Sequence, residues 1–137
     1  MSVAVAHHPQ PSSRLALVEG ARQAAYRATE LVVIHVVESL DADIAQAHRA
    51  GISDAVEDVL EGTELSTVRW QVRLVAGGRE ISGVSEAILG AVRELGPDLL
   101  VIGARRRSPV GKAFLGSVTQ NVLLDADLPV LVVKAPR

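Results

Sequence analysis

No cysteine occurs among the 137 residues of the chain. That excludes disulfides, thiol nucleophiles and cysteine-based metal sites, and it fits a cytoplasmic protein. Aromatic residues are scarce too, at 2%, although hydrophobic residues reach 48%. The core must then be built from Val, Leu, Ile and Ala, the composition of a parallel sheet covered on both faces by helices. A basic excess is missing: the net charge is -2, which argues against a general nucleic-acid binder. No apolar run approaches the roughly 20 residues that span a bilayer. The segment Val3-Ala4-Val5-Ala6 is far too short for the apolar core of a signal peptide. The expectation is a cytoplasmic protein with neither nucleic acid nor membrane as partner, built as one domain over residues 1–137. Also absent are a Walker-type GxxxxGK[ST] and any close carboxylate pair or nucleophile–base combination set by spacing, so a non-catalytic protein is expected.

What is present is a strict alternation of patterns. Ser2 to Ala6 is β-prone and is ended by His7-His8-Pro9-Gln10-Pro11. Ser12 or Ser13 can cap a following helix whose apolar positions Leu15, Val18, Ala21, Ala25 and Ala28 recur at spacings of three and four. Leu31 to Val37, LVVIHVV, reads as a strand buried on both faces. Asp41 to Glu61 is helical in pattern, with Gly51 interrupting it. In Thr67 to Val75, apolar Val68, Trp70, Val72 and Leu74 alternate with polar residues, as in a strand with one wet face near a sheet edge. Ile81, Val84, Ile88, Val92 and Leu95 mark a third helix that Gly96-Pro97 stops. A strand, a loop, a helix from about Ser117 to Asp125 and a strand Val130 to Lys134 complete the chain. The order β-α-β-α-β-α-β-α-β implies an α/β fold with a parallel sheet and helices on both faces.

The stretch Asp98 to Asn121, DLLVIGARRRSPVGKAFLGSVTQN, organises the rest. Strand, loop and helix N-terminus in series form an anion site, because the first N–H groups of a helix lack intrahelical partners and point at whatever lies in front. Gly103 and Gly116 allow close backbone approach to a phosphate. Ser117 and Thr119 add hydroxyls, while Arg105, Arg106, Arg107 and Lys112 add positive charge.

The segment Val101 to Val133 closely resembles the C-terminal signature of the universal stress proteins. Nucleotide-binding members of that family carry Gly, two residues, Gly, nine residues, then Gly-Ser or Gly-Thr. Gly103 and Gly116-Ser117 match the ends of this pattern, and Arg106 stands where the middle glycine is expected. An arginine there can either obstruct the backbone approach or offer its guanidinium to the same oxygens. The resemblance implies an open five-stranded parallel sheet of order 3-2-1-4-5, with an adenine nucleotide, ATP, in the crevice beyond the first and fourth strands. It implies Gly103, Arg105, Arg106, Gly116, Ser117, Val118 and Thr119 on the phosphates and the backbone of Val36 on the adenine edge. His7 takes the place of an Asp that helps hold the nucleoside in binding members; an imidazole can donate or stack but offers no carboxylate pair. His35 reads as a structural strand residue and His48 as a solvated one. Any Mg²⁺ would be held mainly by phosphate and water. The family likeness further implies a homodimer formed by antiparallel pairing of the strand Val130 to Lys134. A structural or interaction module of the same fold that binds no nucleotide is the alternative, supported by Arg106 and His7, and a slow nucleotide hydrolase is a third reading.

Overall fold

The computed structural model describes residues 1–7, 11–104 and 116–134. Five strands and four helices alternate: β1 Ser2–His7, α1 Pro11–Tyr26, β2 Glu30–Val37, α2 Ala42–Leu60, β3 Trp70–Ala76, α3 Ile81–Leu95, β4 Leu99–Ala104, α4 Ser117–Asp125 and β5 Val130–Lys134. The strands form one sheet of order β3-β2-β1-β4-β5, and all four pairings are parallel. This is the α/β architecture expected from the alternation of patterns, with the 3-2-1-4-5 order that the family resemblance implies.

Side-chain parity divides the core into two layers. Val3, Val5, Leu31, Val33 and Val101 point toward α1 and α2, where they meet Ala16, Leu17, Ala21, Ile52 and Val56. Ala4, Ala6, Val32, Ile34, Leu100 and Ile102 point the other way, against Ile88, Leu89 and Val92 of α3 and Val122 of α4. Each fully buried Val, Leu or Ile contributes about 1.5–3 kcal/mol by leaving water. Two such layers give a chain without an aromatic core enough apolar burial to fold.

Helix α1 corrects the stripe expected for it. Its buried face is Ser13, Ala16, Leu17, Gly20, Ala21 and Ala24, whereas Leu15 and Val18 are only half-buried and Ala25 and Ala28 are exposed. The reason is closeness: a Cβ placed on Gly20 would lie 2.2 Å from Val5 Cγ2. The helix therefore comes close to β1 at Gly20, with Leu17 buried beside it. The helix also opens at Pro11, with Ser12 and Ser13 inside it, not at a serine cap. Proline suits the first helical position because its missing N–H has no partner to lose there. Ala28 lies beyond the helix end, with φ of 52°.

Helix α2 runs unbroken through Gly51. Its N-cap Asp41 accepts from the Asp43 N–H at 3.2 Å. Strand β3 begins at Trp70, three residues later than Thr67, because Val68 is held in a turn by its N–H to the Leu65 carbonyl. Helix α3 ends on Gly96 in the left-handed region, whose N–H returns to the Val92 carbonyl, and Pro97 follows. Among the described residues no helix is long and apolar enough to cross a membrane.

Candidate functional site

Parallel register places the strand ends in one row. His7 of β1 pairs with His35 of β2, His35 with Leu74 of β3, and Gly103 of β4 with Val133 of β5. Ala6 pairs with Ile102, so one further step of the same register sets His7 beside Gly103. The order β2-β1-β4 is the switch point of the sheet, where successive crossovers depart in opposite directions and leave a crevice at the strand C-termini. Asp98 lies at the opposite end, its N–H bonded to the Ser2 carbonyl at 2.9 Å.

On the α1/α2 side of this row lies a pocket of about 480 Å³, lined by His7, His35, Ala47, His48, Gly51, Ile52 and Ala55. Its size is that of a small-molecule site, with apolar walls and a few polar groups. Strand parity explains the polar wall: His7 continues the Val3–Val5 series and His35 the Leu31–Val33 series, so both imidazoles emerge on the same face. Helix α2 supplies the opposite wall through Ala47, Gly51 and Ala55, spaced four apart on one helical face. At Gly51 no atom lies within 4 Å of where a Cβ would be, so the glycine borders open space.

The three imidazoles form a chain. His7 Nδ1 lies 3.2 Å from His35 Nδ1, and His35 Nε2 lies 3.3 Å from His48 Nδ1. Their ring centroids are 5.3 and 5.2 Å apart. His35 Nδ1 is also 3.2 Å from the His7 carbonyl oxygen. A carbonyl only accepts, so His35 Nδ1 is the donor there. In the neutral chain His35 Nε2 then accepts, and His48 Nδ1 donates to it. His35 is 6% exposed; these bonds offset the cost of burying its polar ring. His48 is exposed, but its bond to His35 corrects the expectation of a merely solvated residue.

On the other side of β1, α4 starts at the end of β4. Gly116 is its N-cap, with φ of 79° and ψ of 151°, and the Gln120 N–H bonds to the Gly116 carbonyl. That backbone conformation is almost confined to glycine. Ser117 therefore occupies the first helical position and is exposed; it is not the cap. Thr119 is buried, and its hydroxyl donates to the Gly103 carbonyl at 3.1 Å, tying the first turn of α4 to β4. It is thus a positioning residue and not a surface one. Farther along, Asn121 Nδ2 donates to Ser85 Oγ, whose own hydroxyl donates to the Ile81 carbonyl, fixing α4 to α3. Val118 is half-buried and packs into the α3/α4 layer.

The structure thus brings His7 and Gly103 together at the crevice, with Gly116, Ser117, Val118 and Thr119 in the helix start anchored to Gly103. Val36 sits at the end of β2 with its side chain in the α3/α4 layer, which leaves its backbone for any part in the site. Arg105 and Arg106 lie outside the described residues. Sequence reasoning missed His35, His48 and Gly51 as pocket residues. The signal was available for His35, since it lies two residues before the end of β2 on the face shared with Leu31 and Val33, as His7 lies at the end of β1 on the face of Val3 and Val5. Among the described residues no group of three or more His, Asp or Glu can hold a metal ion.

Comparison with known proteins agrees with this geometry. The Universal stress protein family model matches residues 1–134. A protein of Mycolicibacterium smegmatis named Universal stress protein is 36% identical over 132 residues, 96% of either chain. Among solved structures, that of a universal stress protein from Archaeoglobus fulgidus aligns with a TM-score of 0.77 and 25% identity, over 98% of both chains. That of a universal stress protein in complex with cAMP aligns with a TM-score of 0.73 and 24% identity, covering 99% of this chain and 98% of the other.

Proposed function

The chain belongs to the universal stress protein family, and from that premise we propose that it is a cytoplasmic, dimeric regulatory module of the stress response that binds ATP without catalysing its turnover. The observation that carries the reading is the pocket of about 480 Å³ beside His7, one strand away from a helix N-terminus anchored at Gly103. The base occupies the pocket, between the imidazoles of β1 and β2 and the small-residue wall of α2. The phosphates extend past Gly103 toward the first turn of α4, where Gly116 keeps the approach free of a side chain and the Ser117, Val118 and Thr119 N–H groups and the helix dipole favour negative charge. Arg105 and Arg106 add charge from the connecting segment. A magnesium ion bound with ATP is held by phosphate and water, since the described residues supply no metal cluster of their own. The cAMP complex of a related fold supports an adenine ligand.

Dimerisation is assigned to β5, which among the described residues pairs only with β4 and whose Val130, Leu131, Val132 and Val133 are half-buried. Ligand occupancy then reaches the dimer surface through β4, the neighbour of both the site and β5. A second reading, an interaction module that binds no nucleotide, is favoured by one observation: His7 Nδ1 is engaged with His35. One experiment separates the two. Freshly purified protein is denatured and the supernatant assayed for nucleotide, and stripped protein is titrated calorimetrically with ATP. Near-stoichiometric release or micromolar binding supports the binder; neither, with folding verified, selects the interaction module. Phosphate release that scales with protein and is lost in Gly116→Arg would instead make it a hydrolase.

A further inference from the structure

We infer that the His7–His35–His48 chain makes nucleotide affinity dependent on pH, with the His35–His48 pair taking up one proton and strengthening the hold on an anionic ligand as the medium becomes acidic. The inference rests on the nucleotide reading above and adds its regulation.

The argument begins with the polarity of the chain. The His7 carbonyl fixes the proton on His35 Nδ1, so the neutral pair is joined by a single His48 Nδ1–H donating to His35 Nε2. One solvent proton can be added without breaking that bond. It enters at His48 Nε2, on the exposed ring, and the bond becomes charge-assisted; or it resides on His35, with His48 changing tautomer to accept. A second proton on the pair would set two donors face to face at 3.3 Å, and a charge on His7 would stand a ring distance of 5.3 Å from His35. The geometry therefore admits one added proton and opposes a second.

The surroundings leave this charge effective. β1 contributes His7 and β2 contributes His35 to the pocket wall, and among the described residues the only other titratable group there is His48. β3 turns Trp70, Val72 and Leu74 to the α2 layer. On α2, Arg49 donates to the Val72 carbonyl, and Asp58 is paired with Arg14 of α1. Asp41 and Asp43 lie at the N-terminus of α2, and Asp54, Glu57 and Glu61 lie toward its C-terminus. At the end of β2, Glu38 is paired with Arg79. The added charge thus sits in the wall of the pocket, within about a Debye length of a ligand that fills it. Linkage fixes the sign: an anion that binds the protonated chain more tightly raises the proton affinity of the chain, and its own affinity rises as pH falls.

The test is a calorimetric titration of ATP into the native protein and into His48→Ala, each at pH ~8 and pH ~5.5, with adenosine as the uncharged control. Ionisation of ATP itself cancels in the ratio of the two proteins. That ratio is expected to move about three- to tenfold in favour of the native protein between the higher and lower pH, while the corresponding ratio for adenosine moves less than about twofold. ATP binding with a ratio that stays constant would overturn the proton linkage and leave the nucleotide reading standing. A shift of equal size with adenosine would also overturn it, because the effect would then not be one of charge. Absence of ATP binding by folded protein at both pH values would remove the nucleotide reading and the linkage with it. A ligand-free measurement stands beside these: histidine ring resonances of the native protein should show His35 and His48 titrating as a coupled pair, and independent curves for the two would refute the shared proton.

Discussion

Two glycines in the middle of helices on the same face of the sheet, Gly20 of α1 and Gly51 of α2, exist for opposite reasons. At Gly20 a Cβ would fall 2.2 Å from Val5 Cγ2 and 3.2 Å from Leu31 Cδ1, atoms of two fully enclosed side chains. At Gly51 a Cβ would meet nothing within 4 Å. One glycine brings a helix against the central strand; the other keeps a helix from filling a pocket. Glycine in a helix interior costs about 1 kcal/mol relative to alanine. At Gly20 that cost is offset by close packing; at Gly51 no packing gain is visible, and the position borders the cavity.

Substitutions can break this contrast or sharpen it. The largest effect is expected from Gly20→Val: overpacking against stiff Val5 should lower unfolding free energy by about 3 kcal/mol, read by denaturant titration. A smaller loss would mean that α1 can move off β1. Gly116→Ala adds a third kind of glycine, needed for backbone conformation and not for space. It should cost about 1–3 kcal/mol and weaken ATP binding in calorimetry. Thr119→Val removes the hydroxyl held by the Gly103 carbonyl and should cost about 1 kcal/mol, which thermal unfolding would register; no change would show that α4 is seated by packing alone. The smallest change in stability, and of opposite sign, is expected for Gly51→Leu. It should gain up to about 1 kcal/mol from helix propensity while reducing ATP affinity at least about tenfold by filling the pocket. Loss of stability there would place Gly51 with Gly20 after all.

The sequence made the fold legible because its periods are clean. The unbroken LVVIHVV run, the Gly96-Pro97 stop and the Pro129-led last strand all correspond to observed boundaries. The stripe of α1 misled in phase: Ala16, Leu17, Gly20, Ala21 and Ala24 face the sheet, a set offset by about one residue from the expected one, and no single-chain pattern reveals how near a helix will come to a strand. At the site, the glycines of the β4–α4 connection were conspicuous in the sequence, and Gly116 is the N-cap of α4. The second wall of the pocket was harder to foresee. His48 is 13 residues from His35 and, although exposed itself, lies one turn before the buried Ile52 on the helix face that turns toward the sheet. Only the crossing of α2 over the end of β2 turns it into a neighbour.

Strand β1 is hydrogen-bonded on both edges and covered on both faces, with Val3, Ala4 and Val5 wholly enclosed. Its amides can exchange with deuterium only when the whole sheet opens, so their rates report global stability. A ligand that binds only the folded chain lowers the open population by a factor of one plus the ratio of free ligand concentration to Kd. Exchange at Ala4 to Ala6 thus becomes an internal gauge of whether the crevice is filled, read from the centre of the sheet without a probe on the ligand.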